Sequence, residues 1–109
     1  MTKVKCSELN HGWFFSCEGH AGYDLKGKDI VCAGISALCA ALVRRLEEMS
    51  LTGMVHLTQC EIAPGELTLV AQTEEDDKMS ELILRDTFET VLAGLDAIEE
   101  NYADYIEIS

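Results

Sequence analysis

Twice along this chain a pair of short extended patterns gives way to one long helical pattern, and few folds accept that order. From Lys3 to Leu9, Val4, Cys6 and Glu8 alternate with Lys3, Lys5 and Ser7, and Asn10-His11-Gly12 supplies a turn before the aromatic run Trp13-Phe14-Phe15. This predicts a hairpin whose second strand passes through Ser16-Cys17-Glu18 and delivers His20 at or just beyond its end. Gly19 and Gly22 beside it permit unusual backbone angles. From Asp29 to about Met49, Val31, Ile35, Leu38, Leu42 and Leu46 recur at three- and four-residue steps, the mark of a helix with one apolar face. Asp29 is its natural N-cap, and Arg44 and Arg45 toward the other end suit the helix dipole.

Beyond Gly53 the pattern repeats. Met54 to Ile62 and Glu66 to Thr73 are rich in Val, Ile, Leu and Thr, and Ala63-Pro64-Gly65 joins them as a turn. After the acidic loop from Thr73 to Asp77 comes a second helix with Leu84, Phe88, Val91, Leu95, Ile98 and Tyr102 on one stripe, most simply core. Asp104 to Ile108 alternate and predict a final strand. The expected class is α+β: two helices covering one face of a largely antiparallel sheet of four or five strands.

A chain of 109 residues, 48% of them apolar, supports one core, so residues 1–109 are read as a single domain. There is no apolar run of eighteen residues and no secretory signal at the amino terminus, so a cytoplasmic protein that stays off membranes is expected. The five cysteines, an odd number with no C-x-x-C pair, fit reduced thiols better than a disulfide framework. A net charge of −12 disfavours direct nucleic-acid binding and favours cationic partners, although on charge alone solubility is the stronger explanation.

Two residues invite a chemical reading. Cys32 falls about three residues inside the helix start signalled by Asp29, where unpaired amides and aligned dipoles favour a thiolate and where free amides could receive an oxyanion. His20, joined to Cys32 by a short loop with glycines toward both ends, could fold back as its base. On spacing alone the plainer account is the stronger one: a cysteine packed in a helix and a turn histidine bonded to carbonyls. His11 and His56 read as ordinary surface or edge residues.

The wider string shifts that balance. Gly19-His20-Ala21-Gly22-Tyr23, then Gly27, then Asp29-Ile30-Val31-Cys32-Ala33-Gly34-Ile35-Ser36-Ala37-Leu38 resembles the ribosomal-processing cysteine protease family, Prp. The resemblance implies a cytosolic endopeptidase that removes a short amino-terminal extension from large-subunit ribosomal protein twenty-seven, with His20 as general base and Cys32 as nucleophile. It also implies a flexible loop between the two, a homodimer and an aromatic residue on the amino-terminal side of the cut. No cofactor or metal is expected. Ser36 matches a serine of the family motif and either orients the peptide or thiol or bonds back to its own helix turn. Asp29 either orients His20 or, more simply, caps the helix. Gly19 and Gly22 shape the loop, Gly34 admits close approach within a helix, and Tyr23 is a candidate to cover the aromatic residue of the substrate. No third member of a triad is apparent, so a dyad is expected, with a backbone carbonyl left open as a partner for His20.

Two other classes remain. A metal-binding module would use Cys17, His20 and Cys32, with Cys39 or Cys60 as a fourth ligand, but structural zinc sites carry two tight ligand pairs and this chain does not. A noncatalytic ribosome-associated factor binding a basic ribosomal protein would suit the acidity equally well.

Overall fold

The computed structural model describes Met1–Ser109. Its elements run β1 (Thr2–Leu9), β2 (Gly12–Glu18), α1 (Ile30–Leu51), β3 (His56–Ala63), β4 (Glu66–Gln72), α2 (Lys78–Asn101) and β5 (Ile106–Ile108). The strands form one sheet in the order β3-β4-β2-β1-β5. Three of the four pairings are antiparallel, and β5 joins β1 in parallel, so the expected sheet gains a mixed edge.

Alternation along the strands separates the two faces. Val4, Cys17 and Leu67 form one cross-strand row, and Phe15 and Leu69 lie in the next, all facing the helices. Trp13 stacks on Phe88 of α2 with ring centroids 5.2 Å apart, and Phe15 meets the same ring at 6.4 Å, which seats α2 across β1 and β2. Phe15, Leu42, Leu46, Leu69, Phe88 and Leu95 are fully enclosed in one cluster shared by sheet and helices. Each such side chain contributes on the order of 1.5–3 kcal/mol by leaving water.

Both helices begin on an aspartate. Asp29 accepts the Cys32 amide at 2.8 Å, and Asp77 accepts the Ser80 amide at 3.0 Å. The far ends differ from expectation. Helix α1 continues to Leu51 and has no basic residue in its last turn, so Arg44 and Arg45 lie too far inside to meet the terminal carbonyls. Tyr102 is the C-cap of α2 rather than part of its stripe. The helices cross over two glycines. A Cβ on Gly94 would stand 2.8 Å from Leu38 Cδ2, and one on Gly34 would stand 3.3 Å from Ile98 Cδ1. The opening at Gly34 thus receives a side chain from α2.

Candidate active site

At the end of β2 the chain must turn sharply away from the sheet, and Gly19 does so at φ +92°. Its N–H donates to the Gly65 carbonyl at 2.7 Å, while a Cβ on Gly19 would lie 2.6 Å from the Met1 carbonyl oxygen. No other residue meets both the backbone angle and that contact. His20 follows immediately, and its ring lies on Gly65. A Cβ added there would stand 2.8 Å from His20 Nε2 and 3.0 Å from Cε1. The β3–β4 turn therefore supplies the floor beneath the imidazole, because cross-strand pairing of Glu18 with Glu66 sets the two turns side by side.

The loop from Gly19 to Asp29 is anchored at several points. Ala21 is buried in the core, and Gly22 adopts φ +73° with open space where a Cβ would be, so its backbone angle alone asks for glycine. Asp29 uses both carboxylate oxygens: Oδ1 accepts from the Cys32 amide, and Oδ2 accepts from the Tyr23 amide at 3.0 Å and the Asp24 amide at 3.4 Å. These bonds, that of Cys32 first, hold its carboxyl below the ordinary aspartate range. Asp29 is thus a cap and a loop tie, with its bonds going to main-chain amides rather than to His20. Tyr23 packs edge-on against Tyr102 at 5.5 Å and Tyr105 at 5.2 Å. That contact sets it on the α2–β5 connection, outside the wall of the cavity described next.

Cys32, half-buried in the first turn of α1, and His20 open into one cavity of about 390 Å³ between α1 and the β3–β4 hairpin. Ser36, Cys39 and Val43 continue the α1 wall, and Ile62 stands opposite on β3. The cavity thus brings together His20, Cys32, Ser36 and Gly19 of the sequence-predicted residues and leaves out Gly22, Tyr23 and Asp29. Ser36 is exposed on this wall, and no bond to the preceding turn engages its hydroxyl, unlike those of Thr87 and Thr90, which bond back within α2. The thiol of Cys32 and the imidazole of His20 line the same cavity; hydrogen bonds between catalytic groups often tighten only in the substrate complex.

The helix start offers less to an oxyanion than its sequence suggests. The Cys32 amide is committed to the Asp29 carboxylate and the Ala33 amide to the Asp29 carbonyl at 3.0 Å. What remains at the thiol is chiefly the aligned dipole of a 22-residue helix. Of the other cysteines, Cys17 lies in the core and Cys6 and Cys39 pack against it, whereas Cys60 is exposed on β3. Burial pushes Cys6 up to about 11, and burial and the carboxylate of Glu47 raise Cys60. Cys17 and Cys39 both line the cavity, and a hydrogen bond between their thiols lowers Cys17 and, with burial, raises Cys39. Although Cys17, His20, Cys32 and Cys39 line the same cavity, no three His, Cys, Asp or Glu side chains converge closely enough to hold a metal ion. No helix is long and apolar enough to cross a membrane.

Gly65 is the site residue that sequence reasoning reads only as a turn. Its one signal, Pro64-Gly65, announces a hairpin without saying that a histidine from another turn rests upon it.

The same architecture recurs in solved structures. The essential ribosomal processing protease Prp from S. aureus, in complex with a covalently linked product peptide, superposes with a TM-score of 0.78 at 22% identity, covering 100% of this chain and 98% of that one. A second structure of that protease, in complex with a substrate peptide, gives 0.69 at 20% identity over 100% and 98% of the two chains. The SMU.848 protein of Streptococcus mutans gives 0.66 at 24% identity over 100% and 92%. These likenesses establish the fold. No curated protein matches the chain. The family model described as cysteine protease Prp matches residues 1–107, nearly the whole length, and the chain therefore belongs to the Prp cysteine protease family.

Proposed function

We propose that this protein is an endopeptidase that removes a short amino-terminal extension from large-subunit ribosomal protein twenty-seven, with Cys32 as nucleophile and His20 as general base. The observation that carries the assignment is the shared cavity: a thiol in the first turn of a long helix and an imidazole held on Gly65 both open into it. Membership of the family supports the reaction class. The S. aureus relatives, ribosomal processing proteases solved with substrate and covalently linked product peptides, support the substrate class.

In this mechanism His20 takes the thiol proton and the Cys32 sulfur adds to the scissile carbonyl. The tetrahedral adduct collapses as His20 returns the proton to the departing amine, leaving a thioester. Water, deprotonated by His20, then releases the carboxyl product and restores the thiol. Ser36, one turn along the cavity wall, is placed to contact the peptide. The enzyme acts in the cytoplasm, where its ribosomal substrate is made, and works as a homodimer, as resemblance to the family implies.

The test is incubation of wild type and Cys32→Ala with the extended ribosomal protein of the same organism, followed by product mass. Wild type should shorten the protein by its extension while the folded variant leaves it intact. Cleavage by folded Cys32→Ala would overturn the assignment of the nucleophile, and an intact substrate with wild type would favour a noncatalytic binding factor.

A further inference from the structure

Strand β3 is one edge of the sheet, with β4 its only neighbour. The two strands turn through Pro64 and Gly65, so Ala63 stands opposite Glu66, then Ile62 opposite Leu67, Glu61 opposite Thr68 and Cys60 opposite Leu69. In a two-residue hairpin the pair flanking the turn exchanges both hydrogen bonds, and such pairs alternate with pairs whose main-chain groups point away. Ala63 and Glu61 therefore bond to β4, whereas Ile62 and Cys60 aim their N–H and C=O groups out of the sheet edge.

Proteins usually shield such an edge by shortness, a bulge or charge. Edge strand β5, on the opposite side, has three residues, but β3 has eight. The irregularity in β3 falls between Leu57 and Gln59, so Cys60 to Ile62 stay regular and open. Ile62 is 67% exposed, on the helix-bearing side of the sheet, and forms part of the cavity wall opposite Cys39 and Val43. The cavity runs along α1 from Cys32 to Glu47, fifteen residues of helix and so on the order of 20 Å, about six residues of extended chain. Of the charged residues on its rim, Glu47 and Glu66 outnumber Arg44, a balance that leans toward a basic peptide.

We propose that the peptide substrate docks as an added strand on β3, exchanging main-chain hydrogen bonds with Ile62 and Cys60 and turning every second side chain into the cavity that leads to Cys32. Strand addition fixes the peptide's register by backbone alone and leaves selection to the alternate side chains. The proposal rests on the protease reading given above and specifies how that substrate is held.

A series of substrate peptides, each N-methylated at one amide away from the scissile bond, tests it through kcat/KM. Methylation at every second residue should lower kcat/KM about tenfold, because a hydrogen bond to the edge is lost, while residues between change little. A parent peptide that wild type cuts, followed by a scan without this two-residue alternation, overturns the docking mode alone; pairing of β3 with a second copy of the chain would give that result. A parent peptide left uncut overturns the protease reading and the docking mode with it.

Discussion

Between His20 and the β3–β4 turn there is no room for a methyl group, because the imidazole occupies the place where a Cβ of Gly65 would lie. Gly65 also holds φ +73°, a region that costs an alanine about 1 kcal/mol. Gly65→Ala should therefore fold with slightly reduced stability but displace the imidazole, lowering kcat/KM on the order of 100-fold, the scale expected when a reacting group shifts by about 1 Å. Denaturant unfolding and steady-state kinetics on the same preparation separate the two effects. A second expectation concerns Asp29. Its carboxyl is held below the ordinary aspartate range in the folded protein, so its contribution to stability is complete above that range and is lost as pH falls through the folded value. Wild type should melt higher than Asp29→Ala near neutral pH, and the gap should close below about pH 4. Thermal melts across that window check the sign. The cap was legible in the sequence because it depends on residues three apart; the contact of His20 with Gly65, forty-five positions apart, depends on strand pairing that no local pattern states.

At the level of elements, periodicity revealed both helices and both hairpins, since core contact imposes a three-to-four-residue step on one and alternation on the other. The sheet order was not legible. Insertion of β4 beside β2, and of β5 parallel to β1, follows from where the helices cross back, and short strands carry no mark of their neighbours. The helix crossing makes its own prediction. Gly94 faces Leu38, and Gly34 faces Ile98, so each helix offers a gap to a side chain of the other. Gly94→Val places two methyl groups where Leu38 already sits, and overpacking of this kind costs about 1–3 kcal/mol. A lower denaturant midpoint with an unchanged slope would show the loss as stability alone.

Taken as a whole, the molecule carries its −12 charge over a small body, and a basic protein such as the proposed substrate would approach it down a favourable field. Raising salt toward a Debye length of a few ångströms should lower kcat/KM for such a substrate by raising KM, with kcat nearly constant. A salt-insensitive KM would place recognition in the cavity rather than in long-range attraction. The three-tyrosine contact bears on the molecule in another way. Tyr23, in the segment linking His20 to Cys32, leans on Tyr102 and Tyr105, which lie between α2 and β5. Those partners emerge from the ribosome after six of the seven elements have been synthesised. The His20–Cys32 segment therefore has only its local main-chain tie from Tyr23 to Asp29 until Tyr102 and Tyr105 are made, and the nascent chain gains the ring contact after α2 is complete.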